Sequence, residues 1–338
     1  VTAQLIDLRD PSSFPSRRVE AWKYTDVRRL LRETPPASPA AEVAPGGPFA
    51  ALGGEELAVV NGHGTAAVSV REGERIVRLR FVSTTDGSGH QPEATVEVAP
   101  GARLLLLESH EGQASGYVSN ARLNITVGEG ASLTRVVLGE DAADALAFVR
   151  AEVTLSTGAT FEQVTVTSGA KLQRFETHVR HPGHGASVGM DGLYALSGER
   201  HADLTSVVTH AGLDGQTSQL VKGVVRDTAR GVFQGKIVVE RGADGTDARM
   251  AHNALILSER GEVDAKPELI IYADDVQCAH GNTVGTLDES ALFYMQQRGL
   301  PAEEARALLT QAFLFEVVDR IEHEGARETV REWLTARL

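Results

Sequence analysis

Cys278 and His280 are the residues of this chain whose types and spacing are best suited to chemistry. The sequence holds a single cysteine. It stands two residues before a histidine in the run Ala273-Asp274-Asp275-Val276-Gln277-Cys278-Ala279-His280-Gly281. Leu269 to Tyr272, just upstream, is short, β-prone and flanked by Pro267 and carboxylates, the pattern of a buried strand. If residues 276–280 are also extended, the two-residue period puts Cys278 and His280 on one face and Gln277 and Ala279 on the other. A thiol and an imidazole on one face can bind a metal, although an isolated Cys-x-His pair is more often packed in a core.

The other constellations are weaker. His178, His181 and His184 recur at three-residue spacing and are followed by His201 and His210. Imidazoles in this number can hold a divalent cation. Spacing by threes in an extended segment does not converge on one face, however, and Pro182-Gly183 marks a turn, so turn and surface roles are preferred. Gly231-Val232-Phe233-Gln234-Gly235-Lys236-Ile237 superficially resembles a phosphate loop. It is one residue short between the glycines and lacks the Ser or Thr that would hold magnesium, so the chain is not expected to hydrolyse ATP by itself. Asp274 and Asp275 are the only close carboxylate pair suggested for acid/base work, and adjacent strand positions face opposite ways.

The elements that must position these residues repeat. From about Leu57, short alternating β runs end in Gly-containing turns for more than two hundred residues. Gly101-Ala102, Gly130-Ala131 and Gly158-Ala159 are 29 and 28 residues apart, with a weaker echo at Gly185-Ala186 and another, two periods on, at Gly242-Ala243. A β-rich period of this length means a solenoid or propeller, and a blade normally needs about 40 residues. The expected fold is mainly β, a parallel β-helix of two or three strands per coil. Its last coil exposes unpaired backbone groups that must be capped or paired with another chain. Residues 17–31 suit a short helix broken near Thr25, with Trp22 and Tyr24 as anchors. The Pro/Gly-rich run 34–48 reads as a linker or loosely held loop. After Gly285 the pattern turns helical: Asp288 caps a helix over 289–298, Gly299 stops it and Pro301 starts the next. The expected divisions are a helical segment and linker over 1–56, a β-helix over 57–286 and a helical domain over 287–338, which caps the end of the solenoid or serves as a docking platform.

Bulk composition narrows the function. Acidic residues outnumber basic ones 46 to 33, a net charge of −13, which repels phosphate backbones and makes nucleic acid a poor partner. One cysteine excludes an intrachain disulfide and suits a reducing compartment. Residues 1–10 lack the basic and apolar regions of a leader, and no run approaches a membrane span. A cytoplasmic protein without a membrane partner is expected.

Several motifs together carry a resemblance. Ala229-Arg230-Gly231-Val232-Phe233-Gln234-Gly235-Lys236, Thr246-Asp247-Ala248, Asp264-Ala265-Lys266-Pro267-Glu268-Leu269, the run from Ala273 through His280-Gly281-Asn282-Thr283-Val284-Gly285, and Leu292-Phe293-Tyr294-Met295-Gln296-Gln297-Arg298-Gly299 closely resemble the SufB/SufD scaffold family of the SUF iron–sulfur cluster assembly system. Glu20-Ala21-Trp22-Lys23-Tyr24-Thr25 looks like the family's N-terminal signature. The ending His280-Gly281-Asn282-Thr283-Val284-Gly285 resembles the SufD branch, and the SufB-type core cysteine, expected near residues 252–257, is absent. The N-terminal helical region looks abbreviated.

The resemblance implies a right-handed parallel β-helix that pairs with SufB through the β-helix ends and binds the ATPase SufC through its C-terminal helices. It implies a non-enzymatic scaffold with no permanent cofactor, ATP entering only through SufC, and a transient cluster built near His280 at the SufB boundary. Iron in such a cluster favours four sulfur or imidazole ligands; Cys278 and His280 supply at most two, so the rest must come from another chain or a free thiol. Leu308, Leu309 and Phe313 are the expected SufC contacts. The free edge also leaves open a homodimer of the isolated chain. The alternative is a carbohydrate-active or carbohydrate-binding β-helix, which would want a groove with clustered Asp, Arg and Lys.

Overall fold

The computed structural model describes residues 5–64 and 66–338; the first four residues of the stretch read as lacking a leader lie outside them. Two nine-stranded sheets run through the molecule, and each coil gives one strand to each. Every pairing within the two sheets is parallel. The first sheet runs from Glu55–Val60 to Val276–Gly285, and the second from Ala66–Val70 to Glu262–Ile271. The question of two or three strands per coil is thus answered as two.

Alternation along each strand builds one continuous core between the sheets. Leu104, Leu106, Leu133, Val137 and Phe161 of the first sheet meet Leu123, Ile125, Val149, Val153 and Phe175 of the second. The Gly-Ala repeat is the corner of each coil. Gly101, Gly130, Gly158 and Gly185 have φ of 60–70°, where a Cβ is disfavoured, and each following alanine is buried. The period that the sequence skips before Gly242 is filled by Asp214, itself at φ 56°.

The outer faces are covered by the two ends of the chain. Ile6, Leu8, Phe14, Trp22, Val27 and Leu31 pack on Val118, Leu146, Phe148 and Leu172 of the second sheet. The expected broken helix is a 3-10 turn, Glu20–Trp22, followed by α1 (Val27–Leu30), which Asp26 caps. Trp22 is buried and Tyr24 half-buried. Thr25 donates to Asp203 at 2.5 Å, while the Arg174 guanidinium lies 4.3 Å from the Trp22 ring centre. The run 34–48 is not loosely held. Ser38 bonds Ser88 and the His90 Nδ1 at 2.6 and 3.0 Å, and Arg80 donates to the Ala44 carbonyl at 3.0 Å. Proline removes donors there, and side chains of the coils supply the missing bonds.

α2 (Glu289–Gln297) begins at Asp288, whose Oδ1 accepts from the N–H groups of Ser290 and Ala291. α3 (Ala302–Val318) and α4 (Glu324–Thr335) follow. They do not cap the solenoid. Leu314, Val317, Val318, Ile321, Val330 and Leu334 lie along the outer face of the first sheet, on an apolar stripe that includes Leu107, Val136, Val166, Leu193 and Val224. That stripe takes the helices because an outward row of aliphatic side chains needs cover more than the mixed surface of the last coil does.

Candidate functional site

Val276–Gly285 is the end strand of the first sheet and Glu262–Ile271 of the second, so each has a strand on one side only. Not one residue of either strand is buried. Ile271, Tyr272 and Val284 are among the exposed large apolar side chains. The last coil is therefore an open edge.

Cys278 and His280 sit on this coil. Cys278 is paired with Ala248 and His280 with Met250, both buried members of the interior core. Both side chains therefore belong to the inward-facing row, as the two-residue period requires. Because no further coil follows, His280 is exposed, and among the described residues no hydrogen bond holds its ring. Cys278 is half-buried and packs against the core. Burial raises its thiol pKa, with the charge of Asp247 adding, against a backbone hydrogen bond at Ala248. The thiol is thus not a preformed thiolate.

One coil below, the same inward row carries His252, which is fully buried. Its Nδ1 donates to Asn282 Oδ1 of the last coil at 2.7 Å, and its Nε2 accepts from the Tyr194 hydroxyl at 3.0 Å. Burial pushes the His252 pKa down to about 4, despite the Asn282 bond. A neutral, oriented imidazole therefore lies beneath the exposed one. Sequence reading passed over it; the 30-residue offset between His252 and Asn282 is the signal that links them.

The remaining histidines do not converge. His178 faces outward and bonds Glu176 at 2.7 Å, His184 accepts from the Leu213 N–H, and His201 meets the Tyr24 carbonyl. His181 faces inward against His210, with 2.5 Å between Nε2 and Nδ1. Among the described residues no group of three or more His, Cys, Asp or Glu is arranged to hold a metal ion. Gly231 and Gly235 lie within the strand Arg230–Val239 and form no loop. A Cβ on Gly231 would meet Tyr194 at 2.3 Å and one on Gly235 would meet Met250 at 2.0 Å. These glycines make room inside the rod. Asp274 and Asp275 are exposed before the last strand.

The sequence did not reveal a groove of about 370 Å³ on the outer face of the first sheet, beside the turn between α3 and α4. Glu162, Asp191, Asp247, Arg249 and Arg320 line it. Burial, with Asp191 and Glu322 nearby, pushes the Glu162 pKa up to about 7, and burial pushes Asp191 up to about 6 against Arg320. No local pattern marks this groove, because its carboxylates come from different coils.

A family model described as SUF system FeS cluster assembly, SufBD core domain, matches residues 81–313, more than half of the chain. An iron–sulfur cluster assembly SufBD family protein of Synechocystis sp. is 29% identical over 272 residues, 77% of this chain and 60% of its own length. The iron–sulfur cluster assembly protein SufD of Escherichia coli is 28% identical over 279 residues, 80% of this chain and 66% of its own. SufD of Bacillus subtilis is 36% identical over 131 residues, 39% of this chain and 30% of its own. The chain therefore spans less than two thirds of each of these relatives. With a parallel solenoid, an open last coil and a match across most of the rod, the chain belongs to the SufBD family of SUF system iron–sulfur cluster assembly proteins.

Proposed function

We propose that the chain is a non-enzymatic cytoplasmic scaffold on which iron–sulfur clusters are built at a boundary with a SufB-type paralogue. The uncovered last coil, with His280 exposed on its inward row, is the observation that supports this reading. An edge of this kind favours a second chain in strand continuation. The facing protein would supply the ligands that Cys278 and His280 lack, and the cluster is cargo, held only in the complex. Burial raises the Cys278 pKa, so its thiol would lose its proton on metal binding.

A SufC-type ATPase docks on the C-terminal helices in this reading, and ATP acts only through it. Leu308 is exposed and Leu309 half-buried, which suits contact. Phe313 instead turns to the rod, where Lys222 Nζ lies 4.2 Å from its ring centre; it supports the platform. Phe293 and Tyr294 on α2, 62% and 60% exposed, extend the contact surface. ATP-driven dimerisation of the ATPase would strain these helices, with differential affinity for the strained scaffold as the energy source.

Anaerobic titration with iron and sulfide tests the proposal: the isolated chain should hold little cluster, and the complex with both partners a stable one. His280→Ala should fold normally, since the side chain is exposed, and lower cluster yield in the complex severalfold by visible absorbance. Full yield in this variant would remove His280 from the site. The alternative, a carbohydrate-binding β-helix, is favoured only by the charged groove at Glu162 and Asp191. Calorimetry against acidic and neutral oligosaccharides decides it, with binding expected to be absent.

A further inference from the structure

The ladders that hold the coils together are continuous along nearly the whole rod, and the exceptions are informative. One lies at Gln91-Pro92 in the second sheet, between the short strand Gly89–His90 and Glu93–Val98; proline has no N–H to give there. The other has no proline. Ser187–Leu196 pairs with Gln216–Val225 from Ser187 to Gly189 and again from Gly192 onward, at an unchanged 29-residue offset, with Met190 and Asp191 unpaired against Gln219 and Leu220. The Leu220 N–H goes to the Asp191 carboxylate at 2.8 Å.

The wall is thin at this point. Asp191 lines both the outer groove and an interior cavity of about 20 Å³. On the inner side Gln219 is buried; its Oε1 accepts from Ser206 at 3.0 Å, and its Nε2 has no hydrogen-bond partner among the described residues. The second sheet at the same level is unbroken, His201–His210 being paired along its length with Arg230–Val239.

The end of α3 grips both lips of this gap. Arg320 donates to Asp191 Oδ1 at 2.7 Å on one lip and approaches Ser218 at 3.5 Å on the other. One turn earlier Glu316 is paired with Lys222 on the second lip. α2, by contrast, rests on α3.

We propose that the interrupted ladder between Ser187–Leu196 and Gln216–Val225, clamped by Arg320, is a hinge that passes movement of the C-terminal helices to the coils carrying Cys278 and His280. The second sheet is the unbroken leaf and the first sheet the one that opens. The inference rests on the reading that an ATPase pulls on these helices, and it names the place where the pull enters the rod.

Hydrogen exchange with mass spectrometry on the full chain tests it. In isolated Arg320→Gln, segments 190–192 and 219–221 should exchange roughly tenfold faster than in the parent, the effect of losing one charge-assisted bond. His201–His210 should not change. Equal loosening of both sheets, or no change at the gap, overturns the hinge. In the complex with the ATPase, a non-hydrolysable ATP analogue should alter exchange at the gap in the parent and not in Arg320→Gln; an analogue that alters α2 and α3 but not the gap overturns transmission. Failure of the ATPase to bind overturns the docking reading, and exchange in the isolated chain then decides the hinge by itself.

Discussion

Glu162 shows how far a single residue departs from what its place in the sequence suggests. On an outward position of a strand it reads as a solvated carboxylate, yet its side chain fills the space left by Gly189, where a Cβ would stand 1.7 Å from Oε2. Its folded pKa, about 7 against the ordinary 4.5, means that the folded state holds the proton more tightly than the unfolded chain. Stability from this group is complete below pH 4.5 and is lost as pH rises through 7. Glu162→Gln should therefore stabilise the protein by roughly 1–2 kcal/mol at pH 8, after allowance for solvent screening, and leave it unchanged at pH 4. Urea midpoints at the two pH values check this. The shared face of Cys278 and His280 was legible because a two-residue period needs no knowledge of neighbours. Glu162, Asp191 and His252 were not, because each is defined by a residue some 27 to 30 positions away, one coil above.

At the scale of elements, the corner glycines were legible and the role of the inward glycines was not. Gly231 and Gly235 resemble a phosphate loop only superficially, and local spacing cannot distinguish a glycine that frees the backbone from one that admits a neighbour. Tyr194 is the neighbour at Gly231 and Met250 at Gly235; Tyr194 also occupies the space above Gly223, where a Cβ would lie 2.0 Å from Cζ. Gly223→Ala should cost about 1–3 kcal/mol by overpacking, seen as a lower urea midpoint with an unchanged slope. The helix α3 was placed correctly, and its buried face in part. The spacing predicts an apolar stripe over 305, 308, 309, 312, 313, 317 and 321; of these Ala305, Val317 and Ile321 are buried and Leu308 is exposed, while Thr310, Leu314 and Val318 join the buried face. Apolar residues lie on more than one face of α3, and periodicity alone does not say which of them are covered.

For the whole molecule, length and period sufficed for the solenoid, and the resemblance supplied the family. What composition did not convey is the number of ionisable groups sealed inside. Glu108 is fully buried and pushed upward by that burial, but Arg135 and His110 outweigh it and hold its pKa below the ordinary value. His90, His181, His210 and His252 are held neutral by burial, at about 4, 4, 3 and 4 against an ordinary 6.5. Between pH 6.5 and about 4 the unfolded chain takes up protons that the folded rod refuses, so stability falls as pH drops across that window. Glu162 and Asp191 act in the opposite sense there, two groups against four. The urea midpoint should therefore be nearly flat from pH 8 to 7 and fall steeply toward pH 4.

The packing of Tyr194, Phe233, Met250 and His252, each at most 2% exposed, has one more consequence. Phe233 stacks on the His252 ring at 4.9 Å directly behind the last coil, so the rod is plugged just short of its mouth. Among the described residues these side chains fill the axis behind His280. In the proposed assembly, iron and sulfur would therefore arrive from bulk solvent or from the protein opposite, and supply and construction would share one doorway.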